Sequence, residues 1–392
     1  MKNNISILIS VICSLFLAGS SFNVQAQARP GEIDIDKSGE AKLIPISMSG
    51  FSGEVATVLK FDLEVMGFKF EGPDTAHYLL SGSNNDRVEG RLTDRINKAS
   101  LLAKAYTGGT QRSQAHALAD DIVLAITRKK GIAQTKIAFK VDTGGKSEIY
   151  VADYDGHSPQ AVSKDNTLVA APCWVPGHFA LYYTSYKAGY PEIFSHDLSS
   201  GARRPVAQFG SLNTSAALSA DGKRLAFISN KAGAPNVYVC DADGGNLKRL
   251  TNTKEGESSP CWSPDGQTIC FTSRVSGRAA LYTVSASGGA MKRLSTAGVS
   301  NATEPDWSPD GKTIVFTAQM GAFNICTVPA SGGTATVLVT GQDPCWAQNS
   351  RTVIFVRGRG NDLSLSLLDV PTKQTKNVSR ISGSNSQPSW AR

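Results

Sequence analysis

The chain has 392 residues, 41% hydrophobic and 19% charged, enough to bury two separate cores. Its formal charge is +7, but Lys and Arg are scattered and no basic run carries interleaved aromatics, which argues against a nucleic-acid binder. Thirty-seven Gly and 17 Pro announce many turns.

At the start, Lys2 precedes the 16-residue apolar stretch ISILISVICSLFLAGS, and small residues follow in VQAQA. That order reads as a secretory signal over residues 1–28, cleaved after Ala26 or Ala28. The stretch is short for a membrane anchor and has no basic flank beyond it. Cys13 is not preceded by Gly, Ala or Ser, which argues against lipid attachment there. The expected product is exported and soluble. Residues 29–40 form a polar arm in which Ile33 and Ile35 alternate with Glu32, Asp34 and Asp36, with little else to bury.

A small α/β domain is expected over 41–131. Strands are read at AKLIPIS (41–47), AHYLLSG (76–82), RVEGRLTD (87–94) and ASLLAKAYTG (99–108), and a helix at 52–67. The segment 113–130 is a second helix, with Leu118, Ile122 and Ile126 on one face.

From residue 136 to 392 one phrase recurs. PCWSPDGQTICFTS (260–273) returns as PDWSPDGKTIVFTA (305–318), and the series of anchors is Trp174, Leu218, Trp262, Trp307, Trp346 and Trp390. Successive steps are 44, 44, 45, 39 and 44 residues, and all five Trp of the chain sit at this position. Each anchor but the last is followed by apolar second and third strands, a turn and a short fourth strand. Four short strands per repeat of this length describe a propeller blade. Periodic Trp residues are read as core between blades, and Pro309 and Gly311 as the corners of a tight turn. The first unit opens at its second strand, KIAFKV (136–141), while the last anchor, QPSWAR, has no second strand after it. The fold class is therefore mainly β: a six-bladed β-propeller preceded by the α/β domain, with the last anchor strand completing the first blade and closing the ring.

Chemistry is sparse. The nearest approach to G-x-S-x-G is GFSGE (50–54), which lacks the last Gly. His77, His116, His157, His178 and His196 form no zinc pattern. DADGG (241–245) and DYDG (153–156) lack the downstream Glu of a calcium loop. Neither a catalytic group, a metal nor a cofactor is expected. Cys173, Cys240, Cys261, Cys270, Cys326 and Cys345 permit disulfides, yet most lie in predicted strands, where a thiol packs as a small hydrophobe. In the hairpin read from PCWSPDGQTICFTS (260–273), Cys261 should face Cys270 and Trp262 should face Ile269. Such opposition allows a strained bond, with free thiols the default.

The passage ADDIVLAITRKKGIAQTKIAFKV, VADYDG in the first blade, TEPDW at Thr303–Trp307 and the final PSW together resemble the TolB family of the Tol–Pal cell-envelope system. The likeness runs over essentially the whole chain beyond the signal, although WAR replaces the family's usual Trp-Ser-Pro ending. It implies a non-enzymatic periplasmic scaffold. Its propeller would bind the peptidoglycan-associated lipoprotein Pal, and its N-terminal segment the inner-membrane protein TolA. Glu32, Ile33, Asp34, Ile35 and Asp36 occupy the place of the TolA-binding segment, and their alternation suits strand addition. Loops entering the innermost strands converge on one channel mouth. There Asn213, Thr214, Ser258, Ser259, Thr303, Glu304, Gln342, Asp343, Asn385 and Gln387 are the expected Pal contacts. The alternative reading is an exported propeller enzyme or small-ligand binder using the channel.

Overall fold

The computed structural model describes residues 42–392. The expected signal and the arm with Glu32–Asp36 lie outside the described residues.

The first domain is a five-stranded sheet covered by two helices. Its strands are β1 (Ile44–Ser49), β2 (Phe68–Phe70), β3 (Tyr78–Ser83), β4 (Glu89–Asp94) and β5 (Ala99–Ala105), in the order β2-β1-β3-β4-β5. The three-residue β2 was not legible in the sequence; it pairs parallel to β1, Ile44 opposite Phe68. Helix α1 (Gly53–Val65) buries Val55, Val58, Leu59 and Leu63 on its inner face. Helix α2 (Gln111–Thr127) starts where the Thr110 side chain accepts from the Ser113 amide, and ends at Arg128 in the left-handed conformation. Its Leu118, Ile122 and Ile126 share one buried face.

Six four-stranded sheets follow. In each, the second strand is paired on both sides and pressed between neighbouring blades, so it reads as a continuous apolar run. Ala180–Ser185, Arg224–Ser229 and Thr268–Ser273 are each buried beyond their first residue. The outermost strands are short and exposed, as at Lys248–Arg249 and Lys292–Arg293. Ser263 and Thr268 close the hairpin between the first two strands of the fourth blade (2.8 Å), with Trp262 opposite Ile269 and Cys261 opposite Cys270. Gly266 and Gly311 carry the positive φ that these turns need (+66° and +76°). The six cysteines among the described residues are free.

Ring closure follows the strand count. Ser384–Trp390 pairs antiparallel with β6 (Lys136–Asp142), with Trp390 opposite Ile137. Trp390 is buried, and its indole N–H donates to the Thr135 hydroxyl (2.7 Å). The other indoles lie between blades: Trp262 donates to the Ala217 carbonyl of the third blade (2.9 Å) and Trp174 to the Ser389 carbonyl of the first (3.2 Å).

The fifth blade accounts for the short 39-residue step. Its outermost strand Thr336–Thr340 is joined to the next innermost strand by Gly341 alone, where a Cβ would collide with the Phe355 ring. A two-stranded parallel pair, Thr296–Ala297 with Gly333–Thr334, fills the space between the fourth and fifth blades.

The α/β domain packs on the first and sixth blades with a continuous apolar core, in which Leu59, Leu63 and Ile122 join Tyr154, Leu367 and Trp390. Inside this seam the fully buried Asp62 of α1 accepts from the Tyr154 hydroxyl and pairs with His116 Nδ1 of α2 (2.8 Å). Arg112 pairs with the buried Asp155, and Lys376 with Glu64 at 2.5 Å.

Candidate functional site: the propeller channel

Every innermost strand is an edge strand, so the N–H groups on its channel side have no ladder partner. Each solves the problem in the same way. Between its upper and lower paired residues the register shifts, and two residues oppose one on the second strand. The first of the two adopts a left-handed backbone: Ala171, Ser215, Ser259, Glu304, Asp343 and Gln387 have φ between +50° and +58°. A left-handed non-glycine residue costs about 1–2 kcal/mol, so six at one level mark a conformation that the ring imposes. The next residue is proline in five blades (Pro172, Pro260, Pro305, Pro344 and Pro388) and Ala216 in the third. A bulge tolerates proline because the missing donor is not needed there.

Three of the bulge side chains then bond to the blade that follows. The Ala171 amide donates to Gln387 Oε1 (2.9 Å), the Gln387 amide to Asp343 Oδ2 (3.3 Å), and the Asp343 amide to Glu304 Oε2 (3.0 Å). Thr317 also donates to Glu304 Oε2, at 2.6 Å. Apart from this last bond, which stays within the fifth blade, each link carries a side chain of one blade to the backbone of the next. Two to three residues further along the strands, the Trp346 amide donates to Asp306 Oδ2 (2.7 Å) and the Trp390 amide to the Cys345 sulfur (3.4 Å). Arg392 enters at this level and pairs with Asp306.

The resulting channel encloses about 710 Å³. Near its mouth lie Glu304 and Asp343. Burial, followed by repulsion from Glu304, holds the Asp343 carboxyl well above the ordinary carboxylate range, so Asp343 keeps its proton. Burial likewise lifts the Cys173 thiol to about 11 and that of Cys345 to about 12, which leaves both protonated and poorly nucleophilic. Among the described residues, no three His, Cys, Asp or Glu side chains gather as a metal site.

The expected contact residues fall into two groups. Ser258 is exposed at the mouth, and Thr214, Ser259, Thr303, Glu304, Gln342, Asp343 and Gln387 are half-buried around it. Asn213 and Asn385 are buried instead. Asn213 accepts from the Phe209 amide (3.2 Å) and Asn385 donates to the Gly383 carbonyl (2.7 Å), so they tie down the entering loops rather than face the channel. Sequence reasoning passed over Ala171, Ser215, the proline ring and the Asp306–Arg392 pair. The recurring proline two residues before Trp was the available signal.

The TolB β-propeller domain family model matches residues 123–392. The chain belongs to the TolB propeller family. A relative from Bordetella pertussis, named Tol-Pal system protein TolB, is 32% identical over 191 residues, covering 46% of this chain and 41% of that protein. The relative of the same name from Polaromonas naphthalenivorans is 29% identical over 240 residues, 52% of this chain and 55% of that one. The chain thus spans about half the length of the curated relatives it matches. The crystal structure of TolB from Acinetobacter baumannii superposes with a TM-score of 0.81 at 22% identity, covering 90% of this chain and 97% of that one, so the TolB fold extends through both domains. Among the described residues no helix is long and apolar enough to cross a membrane.

Proposed function

We propose that the chain is a non-enzymatic periplasmic scaffold of the Tol–Pal system. It binds Pal across the channel mouth and TolA through the arm at 29–40, and so helps to maintain the outer membrane and support envelope constriction during division. The observation that carries the reading is the mouth itself. Six blades converge there, and bulge-held polar side chains present donors and acceptors around a channel in which the thiols and Asp343 are protonated. The TolB family assignment and the names of the relatives support the same role. A channel enzyme working through a thiol would need an activated nucleophile, whereas burial keeps Cys173 and Cys345 protonated.

The test is binding of Pal lacking its acyl anchor. Ser258→Trp places bulk at an exposed mouth position without breaking a fold contact, and should weaken binding at least about tenfold, ~1.4 kcal/mol, at unchanged melting temperature. Removing residues 29–40 should abolish the TolA contact and leave Pal binding intact. Undiminished Pal binding by Ser258→Trp would put the site elsewhere, and joint loss of both partners on deleting the arm would give the arm a structural role.

A further inference from the structure

The mouth face carries a charge pattern that the channel alone does not reveal. In each blade the hairpin between second and third strands projects on the same side as the loop entering the innermost strand. Val169 lies opposite Ser185 and Ser185 opposite Glu192, for example. These hairpins put Lys146 of the first blade, Lys187 of the second, Lys231 of the third, Arg274 and Arg278 of the fourth, and Arg359 of the sixth into solvent. Among the described residues none of the six is in a salt bridge. On the same face the exposed carboxylates are Glu255 and Asp362, while Asp165 is held by Arg203 and Asp142 by Lys140. The fifth blade contributes no charge at its hairpin but exposes Met320 and Phe323. A cationic rim therefore surrounds a mouth whose centre holds the Glu304–Asp343 acidic pair.

Like charges without salt-bridge partners, spread over five blades, repel one another, and beyond the Lys231 ammonium 5.0 Å over the Phe209 ring they add little to the fold, so their value lies in what they meet. We infer that this face docks a protein whose surface carries an acidic ring around a protruding, hydrogen-bond-donating or cationic tip. The rim meets the acidic ring, and the tip enters the channel to reach the Glu304 and Asp343 carboxyls. The phosphates of an anionic bilayer or a nucleic acid would match the rim but would be repelled by the acidic centre of the recess of about 710 Å³. The reversal of sign from rim to centre therefore favours a folded protein. This inference rests on the scaffold reading above and specifies how the partner is chosen: the rim accelerates and orients encounter, and the centre sets the register.

The experiment follows association of anchor-free Pal from the same bacterium with the whole mature protein, from about 50 to 300 mM NaCl. It compares wild type with the triple variant Lys187→Glu, Lys231→Glu and Arg274→Glu. Wild-type association should slow about tenfold or more as salt rises, since exposed charges are screened over ~10 Å at 0.1 M. The triple variant should associate at least about tenfold more slowly at low salt and lose most of the salt dependence, with dissociation and melting temperature little changed. Equal, salt-independent association of both proteins would overturn the proposal while leaving the scaffold reading intact. Absence of Pal binding by wild type at every salt concentration would instead remove the scaffold reading, and this proposal with it. In a parallel arm, vesicles of phosphatidylglycerol and phosphatidylcholine are the probe. Binding of wild type but not variant to them, with Pal association equal in both, would assign the rim to a lipid surface and overturn the protein partner.

Discussion

Asp343 shows how one side chain can be structural and responsive together. Its amide and carboxylate are both links in the chain of bonds around the mouth, yet the carboxyl keeps its proton above the ordinary range because it is buried beside Glu304. The folded state therefore binds more protons than the unfolded chain at pH values between ~3.9 and the raised folded value. That contribution is fully present below the unfolded value and is lost as pH rises through the folded one. Lowering the pH from about 7 towards 5 should raise the melting temperature of wild type relative to Asp343→Asn, and parallel curves would refute the assignment. Cysteine chemistry is a second expectation at this scale. Burial raises Cys240 to about 12 and Cys326 to about 11, and the opposed Cys261 and Cys270 are free. Titration of the mature protein in denaturant without reductant should return all six thiols, and four would mean that the Cys261–Cys270 bond forms.

At the scale of the element, the bulged innermost strand is the unit on which the site is written. Ser259 at φ +52° tolerates its conformation because its side chain is not β-branched and the ring imposes it. Ser259→Val should lower stability by roughly 1–2 kcal/mol in denaturant melts, whereas Ser259→Gly should be nearly neutral, strain relief offsetting chain entropy. Equal effects would show that the strand, rather than φ, is limiting. The same element marks where sequence reading succeeds and stops. Apolar second strands, SPDG turns and the Trp positions are local patterns, so blade number, hairpin register and the opposition of Cys261 and Cys270 were all legible. The left-handed residue before proline was not, because a register shift is set by six strands crowding one axis. For the same reason Asn213 and Asn385 could not be told from their channel-facing neighbours: one residue along a strand reverses the face. β2 escaped because three residues carry no period.

For the molecule as a whole, two seams decide integrity. Between the domains, burial opposes a charged imidazole at His116, but the Asp62 carboxylate overcomes it and raises the ring's pKa, while burial raises Asp62 itself, so the dyad retains its proton. The stability contributed by His116 is present below its ordinary value of ~6.5 and is lost as pH rises through the raised one. Tyr154→Phe removes one donor from the buried Asp62 and should cost about 1–3 kcal/mol, read as a lower melting temperature with Pal binding retained. At the ring seam, deleting residues 386–392 removes the pairing of Trp390 with Ile137 together with a buried indole. A loss of at least ~3–5 kcal/mol and aggregation are expected, and an unchanged melting temperature would refute closure by this strand.

The same seam sets a timetable. Ile137 and Trp390 are neighbours in space but 253 residues apart in the chain. A chain made from its N-terminus at ~5–20 residues per second produces one partner on the order of 10 to 50 s before the other. For that interval β6 presents a row of bare N–H and C=O groups, the kind of edge on which foreign strands add. A protein that finishes its first blade last must have that edge shielded, or kept unfolded, until synthesis is done.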